Sequence, residues 1–191
     1  MQWTENRSPE KSRIAVFEHI RDIPYAIIPE LRGPQRGPSG ILELNKGSCQ
    51  PKHYLLAILF AKLGLEIKYV TYPFYWGRQP IKYPPELKAL LKELPPAYHL
   101  TLKARINGKW VLVDATFDLV LKKAGFPVNL TWDGSSDSLN AVLPLEEIIH
   151  ESIAERVSFE AQQKSLYSQQ QIKAYAEFVD KLNAWLLRLR A

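Results

Sequence analysis

His99-Leu100-Thr101-Leu102-Lys103-Ala104-Arg105-Ile106-Asn107-Gly108-Lys109-Trp110-Val111-Leu112-Val113-Asp114-Ala115 decides the fold. Leu100, Leu102, Ala104 and Ile106 alternate with polar residues, and Val111, Val113 and Ala115 alternate again. The Asn107-Gly108 pair between the two runs suits a two-residue hairpin turn, whose central positions both need positive φ. Such a turn sets Thr101 opposite Asp114 and His99 opposite Thr116. His99 and Asp114 then become diagonal neighbours on one sheet face, while the apolar set points to the other.

Upstream, Gly47-Ser48-Cys49-Gln50-Pro51-Lys52-His53 leads into the apolar run Tyr54 to Leu63 and ends at Gly64. A capping Ser, a first-turn Pro and a terminal Gly predict a largely buried helix. The alternation from Glu66 to Tyr72 predicts a strand after it. Six prolines between Pro73 and Pro96 predict a long surface excursion, broken by one short helical pattern near Glu86 to Leu94. Residues 32–40, with three Gly and two Pro, read as a loop. Ser12 is a candidate cap for a first helix over Arg13 to Ile20. Gly125 to Asp137 reads as loop, and Val157 to Arg190 as one long helix with an apolar stripe of Ile172, Tyr175, Ala176, Val179, Leu182, Leu186 and Leu189 that packs on the domain.

The 191 residues are 46% apolar, enough for one domain spanning 1–191 to bury a core without disulfides or a structural metal. A net charge of +5 is spread along the chain with no basic run, which argues against nucleic acid as a partner. The first ten residues lack a signal-peptide pattern, and no apolar run reaches the length of a membrane span, so a cytoplasmic protein is expected. No acidic run has calcium-loop spacing; no metal and no cofactor are expected. One Cys excludes an internal disulfide and leaves a thiol that is either buried filler or reactive.

Cys49 heads a helix, where unpaired backbone N–H groups and the macrodipole favour a thiolate. A nucleophilic thiol needs an imidazole to share its proton and a carboxylate to fix that imidazole, and the hairpin register supplies His99 and Asp114 in that relation. His53, one turn after Cys49, competes as the base; His99 is preferred because the helix body holds His53 back and no carboxylate is in view to orient it. The Cys49 backbone N–H is the expected oxyanion donor, with Asn45 or Gln50 as a second. Phe74-Tyr75-Trp76-Gly77 and Trp132-Asp133-Gly134 either line a groove or cover a core edge.

Gly47-Ser48-Cys49 at the head of an apolar helix, His99 on a strand, and Trp110, Asp114 and Thr116 in a Trp-x-x-x-Asp-x-Thr context together resemble the transglutaminase-like core over about Leu42 to Phe117. The chain looks like a small, single-domain member. The resemblance implies an α+β, papain-like fold in which the Cys helix packs on an antiparallel sheet, with Cys49 as nucleophile, His99 and Asp114 as its partners, and Trp110 near the substrate. It departs from the family at Leu100-Thr101-Leu102, where an aromatic residue commonly follows the His. The implied activity is attack on an amide or ester, through a thioester, by a protease, amidase or transglutaminase-like enzyme acting on a peptide, protein or small substrate. Arylamine acetyltransferases share the logic but carry an Arg-Gly-Gly-x-Cys context absent here. The alternative is a non-catalytic binding module with the same fold and an inert thiol.

Overall fold

In the computed structural model, which describes residues 2–191, Asn107 and Gly108 take φ of 51° and 79° and close the hairpin of β2 (Ala97–Ile106) and β3 (Lys109–Val113). Leu102 faces Val113, Ala104 faces Val111 and Ile106 faces Lys109, the register a two-residue turn dictates. β2 pairs along its other edge with β1 (Ile67–Phe74), and β1 pairs with β4 (Ile148–His150), a strand too short for periodicity to reveal. The result is an α+β fold on a four-stranded antiparallel sheet in the order β3-β2-β1-β4.

Alternation along the strands divides the apolar residues between two cores. Leu102, Ala104, Val111 and Val113 face α3 (Cys49–Lys62), which buries Leu55, Leu56, Leu59 and Phe60 against them, and α1 (Pro9–Asp22) adds Val16, Phe17 and Ile20. Val70, Tyr72 and Phe74 face the other way, into a core shared with Phe117, Phe126 and the last helix, α6 (Gln169–Arg190), through Phe178, Leu182 and Trp185.

Local chemistry explains where the chain departs from its sequence reading. α1 begins at Pro9, with the Ser8 side chain rather than Ser12 accepting from the first turn. The loop expected over 32–40 gives way at Gly37 to α2 (Gly37–Leu44), because Pro38 falls within the first turn, where a missing N–H costs nothing. The proline-rich stretch does not ride over the surface: around the short α4 (Pro85–Lys88) it buries Trp76, Ile81, Tyr83, Leu87 and Leu94. The long C-terminal helix is two helices, α5 (Ile153–Ser165) and α6, parted where the side chains of Ser168 and Gln171 form a reciprocal capping box.

β3 stops at Val113 while β2 runs back to Ala97, so residues 97–101 keep their β1 partner but have no strand on the β3 side. That open edge is where the site lies.

If α6 is part of the core, Leu182→Ala should lower unfolding free energy by about 2–5 kcal/mol. Leu187→Ala, at a position 71% exposed, should stay within about 0.5 kcal/mol. Chemical denaturation of both variants checks this; equal small effects would mean that α6 is an appendage.

Candidate functional site

Cys49 is the first residue of α3, and two contacts fix the chain just before it. The Gly47 N–H donates to the Pro24 carbonyl, and the Gly47 carbonyl accepts from the Ala26 N–H, at 3.0 and 3.3 Å. A Cβ at Gly47 would stand 2.9 Å from both Ile41 and Pro51, so only glycine lets the segment lie this close to α2 and α3. Ser48 occupies the cap position in extended geometry, but its side chain accepts no hydrogen bond from the first turn.

At the open edge of β2, the half-buried Cys49 thiol stands beside the His99 ring and the Leu100 backbone N–H. His99 Nε2 donates to Asp114 Oδ2 at 2.7 Å, which leaves Nδ1 for the sulfur. Burial pushes the thiol up, but the His99 hydrogen bond and charge, the Leu100 N–H and the positive field of Arg156 together bring it below its ordinary value. Burial also pulls His99 down, yet the charge and hydrogen bond of Asp114, with the Cys49 contact, raise it to about 10. Asp114 is pushed up by burial and held well below the carboxylate range by His99, His53 and Thr116. Both shifts act in the direction of a thiolate beside an imidazolium.

The Asp114 carboxylate has a full set of donors. Oδ1 accepts from the Thr116 hydroxyl at 2.6 Å and the Thr116 N–H at 3.2 Å; Oδ2 accepts from the Ala141 N–H at 2.9 Å as well as from His99. Its own backbone N–H donates to Ser138 Oγ, and its carbonyl accepts from Asn129 Nδ2. Sequence alone marked only Thr116 among these, because Asn129, Ser138 and Ala141 arrive from a loop with no periodic signal.

His53 does have a carboxylate near it, contrary to the sequence reading: its Nε2 lies 3.6 Å from Asp114 Oδ1. It is nonetheless committed elsewhere. Nε2 accepts the Ala115 N–H at 3.1 Å, so the ring proton sits on Nδ1, which donates to the Cys49 carbonyl at 2.8 Å. Burial pushes its pKa down to about 4, and the ring serves as a neutral clamp between the head of α3 and the chain leaving β3. Lys52 adds a second tie, donating from full burial to the carbonyls of Arg21 and Thr116 at 2.9 and 2.7 Å, with burial lowering its pKa to about 7.

A cavity of about 280 Å³ opens onto Cys49 and His99. Phe74, Trp76, Tyr98, Phe117 and Tyr175 give it aromatic walls, and Glu160, Lys164 and Tyr167 extend them from α5 and the turn after it. Gln50 lines this cavity, but its side-chain amide is spent on the Glu160 carboxylate. Asn45 caps α2 with a left-handed φ of 45° and is exposed, away from the cavity. Trp110 is also outside it, out on β3 opposite Arg105 with the Lys68 ammonium over its ring at 5.0 Å. The Cys49 and Gln50 backbone N–H groups make no hydrogen bond among the described residues, and both residues line the cavity. Of the two aromatic segments, Phe74 and Trp76 line the cavity, whereas Trp132 is core packing against Phe17 and Phe60. Among the described residues no cluster of His, Cys, Asp or Glu is arranged to hold a metal ion, and no helix is long and apolar enough to cross a membrane.

The neutral clamp has a pH signature. Folded His53 stays unprotonated down to about 4, while in the unfolded chain it takes a proton near 6.5, so stability falls as pH drops through that window. Wild type should lose on the order of 3 kcal/mol between pH 6.5 and 4 that His53→Gln does not lose. Parallel denaturation curves for the two proteins across that range would show instead that His53 does not titrate with folding.

No family model and no curated protein matches the chain. A solved structure of a candidate cysteine protease from Cytophaga hutchinsonii aligns over 75% of this chain with 18% identity and a TM-score of 0.43. This chain spans 37% of that protein's length.

Proposed function

We propose that the chain is a cysteine-dependent hydrolase or acyl transferase of the transglutaminase-like type, with Cys49 as nucleophile, His99 as its acid and base, and Asp114 as the group that orients and charges His99. The observation that carries the proposal is the placement of His99, which stands beside the Cys49 thiol on one cavity and, through Nε2, donates to a buried carboxylate.

The chemistry follows from those positions. The Cys49 thiolate attacks an ester or amide carbonyl carbon, a C–S bond forms, and the carbonyl oxygen gains negative charge. We assign the oxyanion to the Cys49 and Gln50 N–H groups at the head of α3, which are free of other partners among the described residues; a side-chain donor from Asn45 or Gln50 is then unnecessary. As the C–O or C–N bond breaks, the leaving group takes the proton from the His99 imidazolium, giving a thioester and a neutral imidazole. A water or amine then loses its proton to His99 as it attacks the thioester, and the thiolate and imidazolium are restored. Hydrolysis is the simpler outcome, since water needs no acceptor site of its own.

The test is the rate of Cys49 alkylation by iodoacetamide as a function of pH, with mass spectrometry locating the label. Wild type should label rapidly below the usual thiol pKa near 8.5. His99→Ala should move the profile up toward that value, and Asp114→Asn should lower the rate of ester turnover by on the order of 10²-fold or more. Slow labelling of wild type, or a profile indifferent to His99, would replace the enzyme with a binding module that carries an inert thiol.

A further inference from the structure

Among the described residues, one cation lining the cavity beside Cys49 has no carboxylate partner. Lys164 is paired with Glu160, and Glu160 also holds Arg156 and the Gln50 amide. Arg32 lines the same cavity, half-buried, with its guanidinium 5.4 Å from the centre of the Tyr175 ring, and has no carboxylate partner among the described residues. A guanidinium stacked on an aromatic face keeps its edge N–H groups available, and a partly desolvated, unanswered one is a strong receptor for an anion. The remaining lining is mostly aromatic or aliphatic, from Tyr25 and Ile27 through Phe117 and Val142 to Ile172.

The volume, about 280 Å³, is close to the small end of the range for small-molecule sites, about 300–1,000 Å³. An amide side chain presented by a folded protein needs a slot for one side chain and a flat surface around it for the backbone. Here α5 and α6 bring Glu160, Lys164, Ile172 and Tyr175 into the wall instead, making a chamber beside the thiol.

Resting on the nucleophile assigned to Cys49 above, we infer that the acyl donor is a small molecule with an aromatic or bulky apolar body and one anionic group, the apolar part held by the chamber and the anion received by Arg32. The donor is an activated ester or thioester: the C–S bond to Cys49 forms, the bond to the leaving group breaks, and the leaving oxygen or sulfur departs with the proton from His99 or as its own anion.

The experiment compares three 4-nitrophenyl esters that share a leaving group: 3-(4-carboxyphenyl)propanoate, 3-(4-methylphenyl)propanoate, and acetyl-Gly-Gly. The burst of 4-nitrophenolate gives the acylation rate constant for the full chain. The carboxylated donor should acylate faster than its methyl counterpart by on the order of ten- to a hundredfold, and both faster than the peptide ester. Arg32→Gln should bring the carboxylate-to-methyl ratio close to one, and Arg32→Lys should keep part of it. Equal rates in wild type, a ratio that survives Arg32→Gln, or a faster peptide ester would each overturn the inference. Iodoacetamide labelling of Cys49 in the same wild-type preparation separates the two layers: labelling without charge preference overturns the donor class alone, and no labelling overturns the nucleophile and the donor class together.

Discussion

A carboxylate withdrawn from water has to find donors for both oxygens, and the buried Asp114 finds them in separate stretches of chain: His99 on β2, Thr116 just beyond β3, and Ala141 in the loop that follows. Once that charge is fixed, the rest of the site has little freedom. His99 must bring its Nε2–H to Oδ2, so its other nitrogen is turned toward the sulfur. Ser138 and Asn129 hold the Asp114 backbone from outside the sheet, which ties the irregular segment 125–141 to the end of the hairpin. Removing the carboxylate would leave several buried donors without an acceptor, so this one group links the packing of the loop to the charge state of the thiol.

Two histidines lie against Asp114 and respond to it in opposite ways. His99 points an N–H straight at Oδ2 and is stabilised as imidazolium. His53 stands 3.6 Å from Oδ1, with Nε2 already accepting the Ala115 N–H, so a second proton would set two donors against each other. Burial then dominates, and the ring stays neutral. Both rings reach Cys49, His99 at the thiol and His53 at the carbonyl. One bears on the charge of the Cys49 thiol, the other on its place, and proximity to a carboxylate alone does not tell them apart.

Much of this was legible along the chain because it depends on local rules. Asn107-Gly108 fixes the register, and the register puts His99 and Asp114 on one face; Ser48, Pro51 and Gly64 bound the Cys49 helix. What was not legible depends on contacts between distant segments. Asn45 looked like a donor because it lies close to Cys49 in sequence, but it ends α2 and faces water. Trp110 sits in the motif yet belongs to the hairpin's far end, where β3 still pairs with β2. The apolar stripe of the C-terminal region masked the Ser168 to Gln171 capping box, and with it the turn that lets α5 bring Glu160 and Lys164 to the cavity. Arg32 carried no signal in a Gly- and Pro-rich stretch, because an arginine is a receptor only when its neighbours fail to neutralise it.

The unequal lengths of β2 and β3 explain how the three groups meet at all. The body of α3 packs on the sheet face carrying Leu102, Ala104 and Val113, whereas alternation places His99 on the opposite face, with Val70 and Tyr72. A helix on one face cannot reach a side chain on the other through an intact sheet. β3 leaves the sheet after Val113, and the edge of β2 from Ala97 to Thr101 is left without a partner. The head of α3 enters at that edge, and the Leu100 N–H, which a longer β3 would have competed for, is left beside the sulfur instead. Asp114 is the first residue past the break, so the same departure that opens the edge to Cys49 frees the carboxylate to turn toward His99. The end of a strand is the device that joins a helix, a strand and a loop at one sulfur atom, and a hairpin only two residues longer in β3 would put the thiol and the imidazole on opposite sides of a wall.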